Sequence, residues 1–101
     1  MDGVMTGERR YGTATLKLAV SRALPKRMRS RVREVIGLHT PIKDRGNGLA
    51  SYLMSSVCDE ADQHSIVLLL TPDDGLDAFY RKFGFQAIQN NPILMARQAN
   101  D

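Results

Sequence analysis

The 101-residue chain is 43% hydrophobic and 25% charged, with a formal net charge of +3. That balance is that of a globular chain rather than a disordered or membrane one and leaves room for one compact domain over residues 1–101. No apolar run reaches the roughly 18 residues of a membrane span, and Met1 to Arg10 lacks the apolar stretch of a secretory signal, so a cytoplasmic location without membrane contact is expected. The single cysteine, Cys58, rules out an internal disulfide and a thiolate metal cluster, as suits a reducing compartment. A domain this small buries only about two-thirds of its unfolded surface, so a bound ligand or a second copy, as in a homodimer, would add stability.

In chain order, Met1 to Gly12 is polar and glycine-containing, and Thr13 to Val20 then alternates with the two-residue period of a first strand. Ser21 to Arg31 contains Pro25 and reads as a loop. Arg22, Lys26, Arg27, Arg29, Arg31 and Arg33 fall in or beside it, and leaving out these six turns the net charge from +3 to −3. The basic character therefore belongs to one segment, which is either a solvated loop or a contact for an acidic or nucleic-acid partner.

Val32 to Thr40 reads as a second strand ending at Pro41. From Gly48 to His64 the period changes: Leu49, Leu53, Val57 and Ala61, flanked by Ala50, Met54 and Cys58, form one broad apolar helix face. Ser65 to Thr71 holds a continuous apolar run, Ile66 to Leu70, which suits a strand buried on both faces in a parallel pair. Pro72, Asp73, Asp74 and Gly75 break the chain before a short helix from Leu76 to Phe83, stopped at Gly84. Phe85 to Ile88 and Ile93 to Ala96 read as two last strands around the turn-prone Gln89-Asn90-Asn91-Pro92. The predicted order is β-β-α-β-α-β-β, an α/β fold with a mixed sheet.

Arg45-Gly46-Asn47-Gly48-Leu49-Ala50 lies between a strand and the amphipathic helix. Two glycines remove side chains from the turn, so backbone N–H groups can approach an anion closely, and the helix start adds partial positive charge. A Walker loop and the Rossmann spacing are both excluded by sequence, whereas a plain helix-entry turn would give the same string.

This string resembles the Q/R-x-x-G-x-G/A motif of the GNAT acetyltransferase superfamily, whose loop binds the acetyl-CoA pyrophosphate. Phe79-Tyr80-Arg81-Lys82-Phe83-Gly84-Phe85 is similar to the family's second element, Tyr-x-x-x-Gly-Phe at the end of a short helix. The matching region runs from about Val32 to Arg97. The resemblance implies a GNAT-like mixed, mostly antiparallel sheet with two helices, and acetyl-CoA as co-substrate. It implies cofactor contacts from Leu38, Thr40, Arg45, Gly46, Asn47, Gly48, Leu49, Ala50 and Asp73, with no metal. The chain departs from the pattern in carrying its proline one residue early, at Pro41, with Asp73 for asparagine and Leu76 for alanine. Only one strand and the basic loop are predicted before Val32, where many relatives have two helices that shape the acceptor site.

The same resemblance assigns catalysis to a backbone N–H on the strand Gly37-Leu38-His39-Thr40, which would polarise the thioester carbonyl, and to Tyr80, which would protonate the CoA sulfur. Glu34 and His39 are the candidate bases, set against the reading that each holds a surface or salt-bridged place. Without the resemblance, Tyr80 reads as a core aromatic with its hydroxyl at the edge. Cys58 sits on the apolar stripe as a small hydrophobe, which favours direct transfer over an acyl-enzyme. Aspartates 59, 62, 73, 74 and 77 lack metal-loop spacing. The expected function is transfer of an acetyl group to a primary amine of an unidentified acceptor. The alternatives are a nucleic-acid-associated module, for which the basic segment lacks stacking aromatics, and a regulatory protein that binds CoA without turnover.

Overall fold

A computed structural model of the chain describes residues 4–22, 24–73, 75–88 and 91–100. Its elements are β1 (Gly7–Tyr11), β2 (Ala14–Ala19), β3 (Val32–His39), α1 (Leu49–His64), β4 (Val67–Leu70), α2 (Asp77–Arg81), β5 (Gln86–Ile88) and β6 (Asn91–Arg97). The strands form one sheet in the order β1-β2-β3-β4-β6-β5, antiparallel except for the β3–β4 pair. The mixed, mostly antiparallel sheet with two helices agrees with the reading of the sequence. Asp74, Gln89 and Asn90, which that reading placed in turns, lie outside the described residues.

One strand has to be added. β1 occupies part of the stretch read as a polar lead-in, so two strands, not one, precede Val32. Its inward positions are taken by Arg9 and Tyr11 where a hydrophobic template expects aliphatics. Arg9 donates to the Glu60 carboxylate on α1 at 3.2 and 3.4 Å, and the Tyr11 ring stacks on Tyr52 of α1 at 5.3 Å. A long arginine stem covers the helix with its methylenes and keeps its charge at the rim, so apolar periodicity does not reveal it.

The β1–β2 hairpin turns at Gly12 and Thr13, with Gly12 at φ +59, and sets the next loop in place. Thr13 Oγ1 donates to Asp44 Oδ2 at 2.8 Å, and a Cβ added at Gly12 would stand 3.3 Å from the Leu49 side chain. The hairpin tip thus braces the loop that leads into α1.

α1 buries the predicted stripe, Leu53, Met54, Val57, Cys58 and Ala61, against a core that includes Leu16 and Leu18 of β2 and Leu68 and Leu70 of β4. Each large side chain so buried contributes roughly 1.5–3 kcal/mol relative to exposure. Burial pushes the Cys58 thiol up to about 11, so it remains a protonated core group. The expectation that the Ile66–Leu70 run is buried on both faces holds only in part: Leu68 and Leu70 are fully buried, while Val67 and Leu69 are half-buried on the less covered face.

Arg97 of β6 ties three elements together. Its Nη1 and Nη2 donate to the two carboxylate oxygens of Asp62 at 2.9 and 3.0 Å, and its Nε donates to the Phe83 carbonyl just past α2 at 2.7 Å. The hydrogen bond from Arg97 holds the Asp62 carboxyl below its ordinary value of 3.8. A depressed carboxyl stabilises the fold fully above the unfolded value, and the contribution disappears as pH falls through the folded value. Asp62→Asn should therefore cost about 1–2 kcal/mol at neutral pH and flatten stability against pH below about 4. Urea melts of both proteins from pH 7 to pH 2 check this, and curves that stay parallel would contradict it.

Candidate functional site

β3 is twice as long as β4, and the two pair only through Val32, Arg33 and Glu34. Beyond Glu34 the strands part, and β3 continues with β2 as its sole neighbour. Within that free half the β2–β3 register slips between Lys17↔Ile36 and Thr15↔His39, so β3 carries one extra residue there, with Gly37 at φ +66. A bulge with glycine in the left-handed region bends a strand and re-aims the groups after it. Here those groups are Leu38, His39 and Thr40.

After β3 the chain makes a 3-10 turn at Ile42–Asp44 and enters α1 through the glycine string. Gly46 has φ +87 and Gly48 φ +77, conformations that cost a residue with a Cβ. Gly48 is the N-cap and offers no side chain to the helix, and no acidic residue stands in the first turn. The orphan N–H groups of a 16-residue helix and its positive dipole end are thus left to an outside partner. Arg45 Nε donates to the Thr40 carbonyl at 3.0 Å and Asn47 Nδ2 to the Asp44 carbonyl at 3.3 Å, which folds the loop over the end of β3.

Two adjoining cavities open here. One, of 280 Å³, is lined by Thr40, Asp44, Arg45, Gly46, Gly48, Leu49, Ala50, Ser51 and Phe79. The other, of 380 Å³, lies in the split beside β3 and is lined by Leu38, His39, Thr40, Arg45, Ala50, Asp73, Leu76 and Phe79. Thr40, Arg45, Ala50 and Phe79 belong to both. The Thr40 hydroxyl is buried on this shared wall and has no partner among the described residues, so an acceptor or donor from a ligand would satisfy it.

Of the residues singled out from sequence, Leu38, His39, Thr40, Arg45, Gly46, Gly48, Leu49, Ala50 and Asp73 come together around the cavities. Asn47 serves the loop's own backbone. Glu34 stands where β3 still pairs with both neighbours and is not among the lining residues. Tyr80 is 5% exposed, packed edge-on against Phe79 and Phe85 at 5.2 and 5.7 Å, and it is Phe79 that lines the cavity wall. Burial first, and the charge of Asp73 second, push the Tyr80 phenol above its usual 10.0. Its hydroxyl is therefore protonated at any physiological pH and feels a carboxylate that lines the split.

Sequence reasoning missed Phe79, Leu76, Asp44 and Ser51 as wall residues. Phe79 and Leu76 lie on the apolar stripe already recognised on the second helix, but a stripe does not tell which of its members faces a cavity. Among the described residues no group of His, Cys, Asp or Glu could hold a metal, and no helix is long and apolar enough to cross a membrane.

A mixed sheet split between its two parallel strands, with a glycine-lined helix start at the mouth of the split, defines a recognisable fold class. That class is the GNAT fold, which this chain takes. It superposes on a GNAT-family acetyltransferase from Staphylococcus aureus Mu50 with TM-score 0.66 at 14% identity, over 87% of this chain and 60% of that one. It superposes on Tetrahymena GCN5 with TM-score 0.65 at 16% identity, over 87% and 61%. For the GNAT-family N-acetyltransferase YhbS of Escherichia coli, solved in complex with CoA, the values are 0.63 and 15%, over 85% and 51%. The chain therefore spans about half to three-fifths of the length of these three solved structures. No protein-family model and no curated protein sequence matches it.

Proposed function

We propose that the chain binds acetyl-CoA in the β3–β4 split and supports transfer of its acetyl group to a primary amine. The observation that carries this reading is the uncapped start of α1, flanked by Arg45 and two left-handed glycines, opening onto a cavity that continues into the split. Backbone N–H groups at 46–50 and the Arg45 guanidinium suit a pyrophosphate. The unpartnered β3 edge and the Thr40 hydroxyl suit the amide-bearing pantetheine arm, between Leu38 on one wall and Phe79 and Leu76 on the other.

Acyl transfer to an amine needs a polarised carbonyl, a deprotonated amine and a proton for the departing thiolate. An N–H of the bulged stretch 37–40 would donate to the carbonyl oxygen without any side-chain chemistry. His39, which is exposed and lines the cavity, is favoured as the base over Glu34, which does not line it. Tyr80, held protonated by burial, would supply the proton to sulfur. Direct transfer fits a chain whose one thiol is buried and held protonated.

Thiol release from acetyl-CoA across a panel of small amines, amino-terminal peptides and lysine peptides tests the reading. Release above the uncatalysed rate with at least one amine is the expected result. Retention of acetyl-CoA with no release across the panel would replace the enzyme by a CoA-binding regulatory module.

A further inference from the structure

Between β2 and β3 the described residues are tied together by arginines that donate to backbone carbonyls. Arg33 is fully buried. It donates to the Val4 and Val32 carbonyls at 2.9 Å each and to the Arg29 carbonyl, leaving Nη2 without a partner among the described residues. Arg29 donates to the Leu24 and Arg22 carbonyls at 3.2 and 3.1 Å. Backbone bonds from Met28 to Pro25, Arg29 to Lys26 and Arg31 to Met28 close a 3-10 turn over Lys26–Met28. The six cations seen in the sequence therefore divide: Arg29 and Arg33 shape the loop, and Arg22, Lys26, Arg27 and Arg31 remain exposed.

None of those four has an ion pair among the described residues, and no Asp or Glu occurs between Val20 and Arg33. Four exposed cations, together with a buried guanidinium whose partners among the described residues are all carbonyls, concentrate positive charge in this connection. Between them in sequence, Met28 is 41% exposed. A phosphate backbone would answer the charges and leave the thioether in water. A polypeptide with carboxylates around an apolar side chain would answer both.

We infer that Arg22 and residues 24–31, between β2 and β3, form a pre-shaped docking surface for an acidic polypeptide segment that carries an apolar residue, with Met28 as its apolar contact and Arg22, Lys26, Arg27 and Arg31 as its charged ones. The self-tied backbone lowers the ordering cost of association, and the charges supply steering and orientation. This inference is independent of acetyl transfer, because none of these residues lines the split.

The test is fluorescence anisotropy with three labelled probes: a poly-glutamate peptide with a central leucine pair, the same peptide with serines in place of the leucines, and a single-stranded oligothymidylate of equal charge. The leucine peptide should bind best and weaken with salt, as exposed charges are screened within about 8 Å at physiological ionic strength. Changing Arg22, Lys26, Arg27 and Arg31 together to Gln should weaken it at least about tenfold, since exposed ion pairs contribute little singly and add up as a group. Met28→Ser should weaken the leucine peptide roughly fivefold and the serine peptide hardly at all. Absence of peptide binding, tighter binding of the oligothymidylate, or a Met28→Ser effect equal for both peptides overturns the proposal. The comparison between peptides uses the unmodified chain, so it decides even if a variant folds poorly.

Discussion

Tyr80→Phe should lower turnover about 100-fold to 10,000-fold, the usual contribution of a positioned general acid, while acetyl-CoA affinity stays within about twofold. The substitution keeps the ring that packs against Phe79 and Phe85 and removes only the hydroxyl. If the hydroxyl were merely structural, its loss would cost about 1 kcal/mol of stability and little rate. Because burial and Asp73 both raise the phenol above 10.0, the acid form persists through neutral pH. Wild-type turnover should accordingly show no alkaline loss from this group until pH exceeds about 10. The measurement is thiol release at saturating cofactor, with an amine on which chemistry limits the rate. Equal rates for the two proteins would return Tyr80 to the core and leave the proton to His39 or to water.

How far the sequence could be read depended on what kind of group carries each feature. The α1 stripe was legible because aliphatic side chains repeat at helical spacing, and all five of its deeply buried members were foreseen. The glycine string was legible because left-handed backbone restricts residue choice, and Gly46 and Gly48 do adopt it. β1 was not legible, since an arginine paired to Glu60 and an exposed tyrosine stack take the places of aliphatics. The same cause split the basic segment: Arg29 and Arg33 bind backbone carbonyls that no pattern of residue types announces. The opening between β3 and β4 depends on strand lengths and on the bulge at Gly37, and only the bulge leaves a trace, one glycine in a strand. Which of Phe79 and Tyr80 lines the cavity is set by the rotation of a five-residue helix, finer than a periodicity can resolve.

Gly48→Val should abolish the stabilisation by acetyl-CoA. The wild-type chain should gain about 2.7 kcal/mol when the ligand stands at 100 times its dissociation constant. At φ +77 a β-branched residue is strained, and its relief re-aims the N–H groups at the start of α1. The new Cβ would also stand 3.6 Å from the Tyr52 ring. The strain itself costs about 1–2 kcal/mol, so the ligand-free melting point must be measured first and the shift taken from it. Asn tolerates the left-handed region, so Gly48→Asn separates backbone strain from obstruction of the site: it should fold nearly as the wild type does and still bind more weakly.

Thermal unfolding of the wild-type chain and both variants, with and without acetyl-CoA, is thus the most direct test of the central claim that the mouth of the β3–β4 split holds the acyl donor. A large upward shift for the wild type, none for Gly48→Val and a reduced one for Gly48→Asn is the predicted result. No shift in the wild type, or equal shifts in all three proteins, would contradict it.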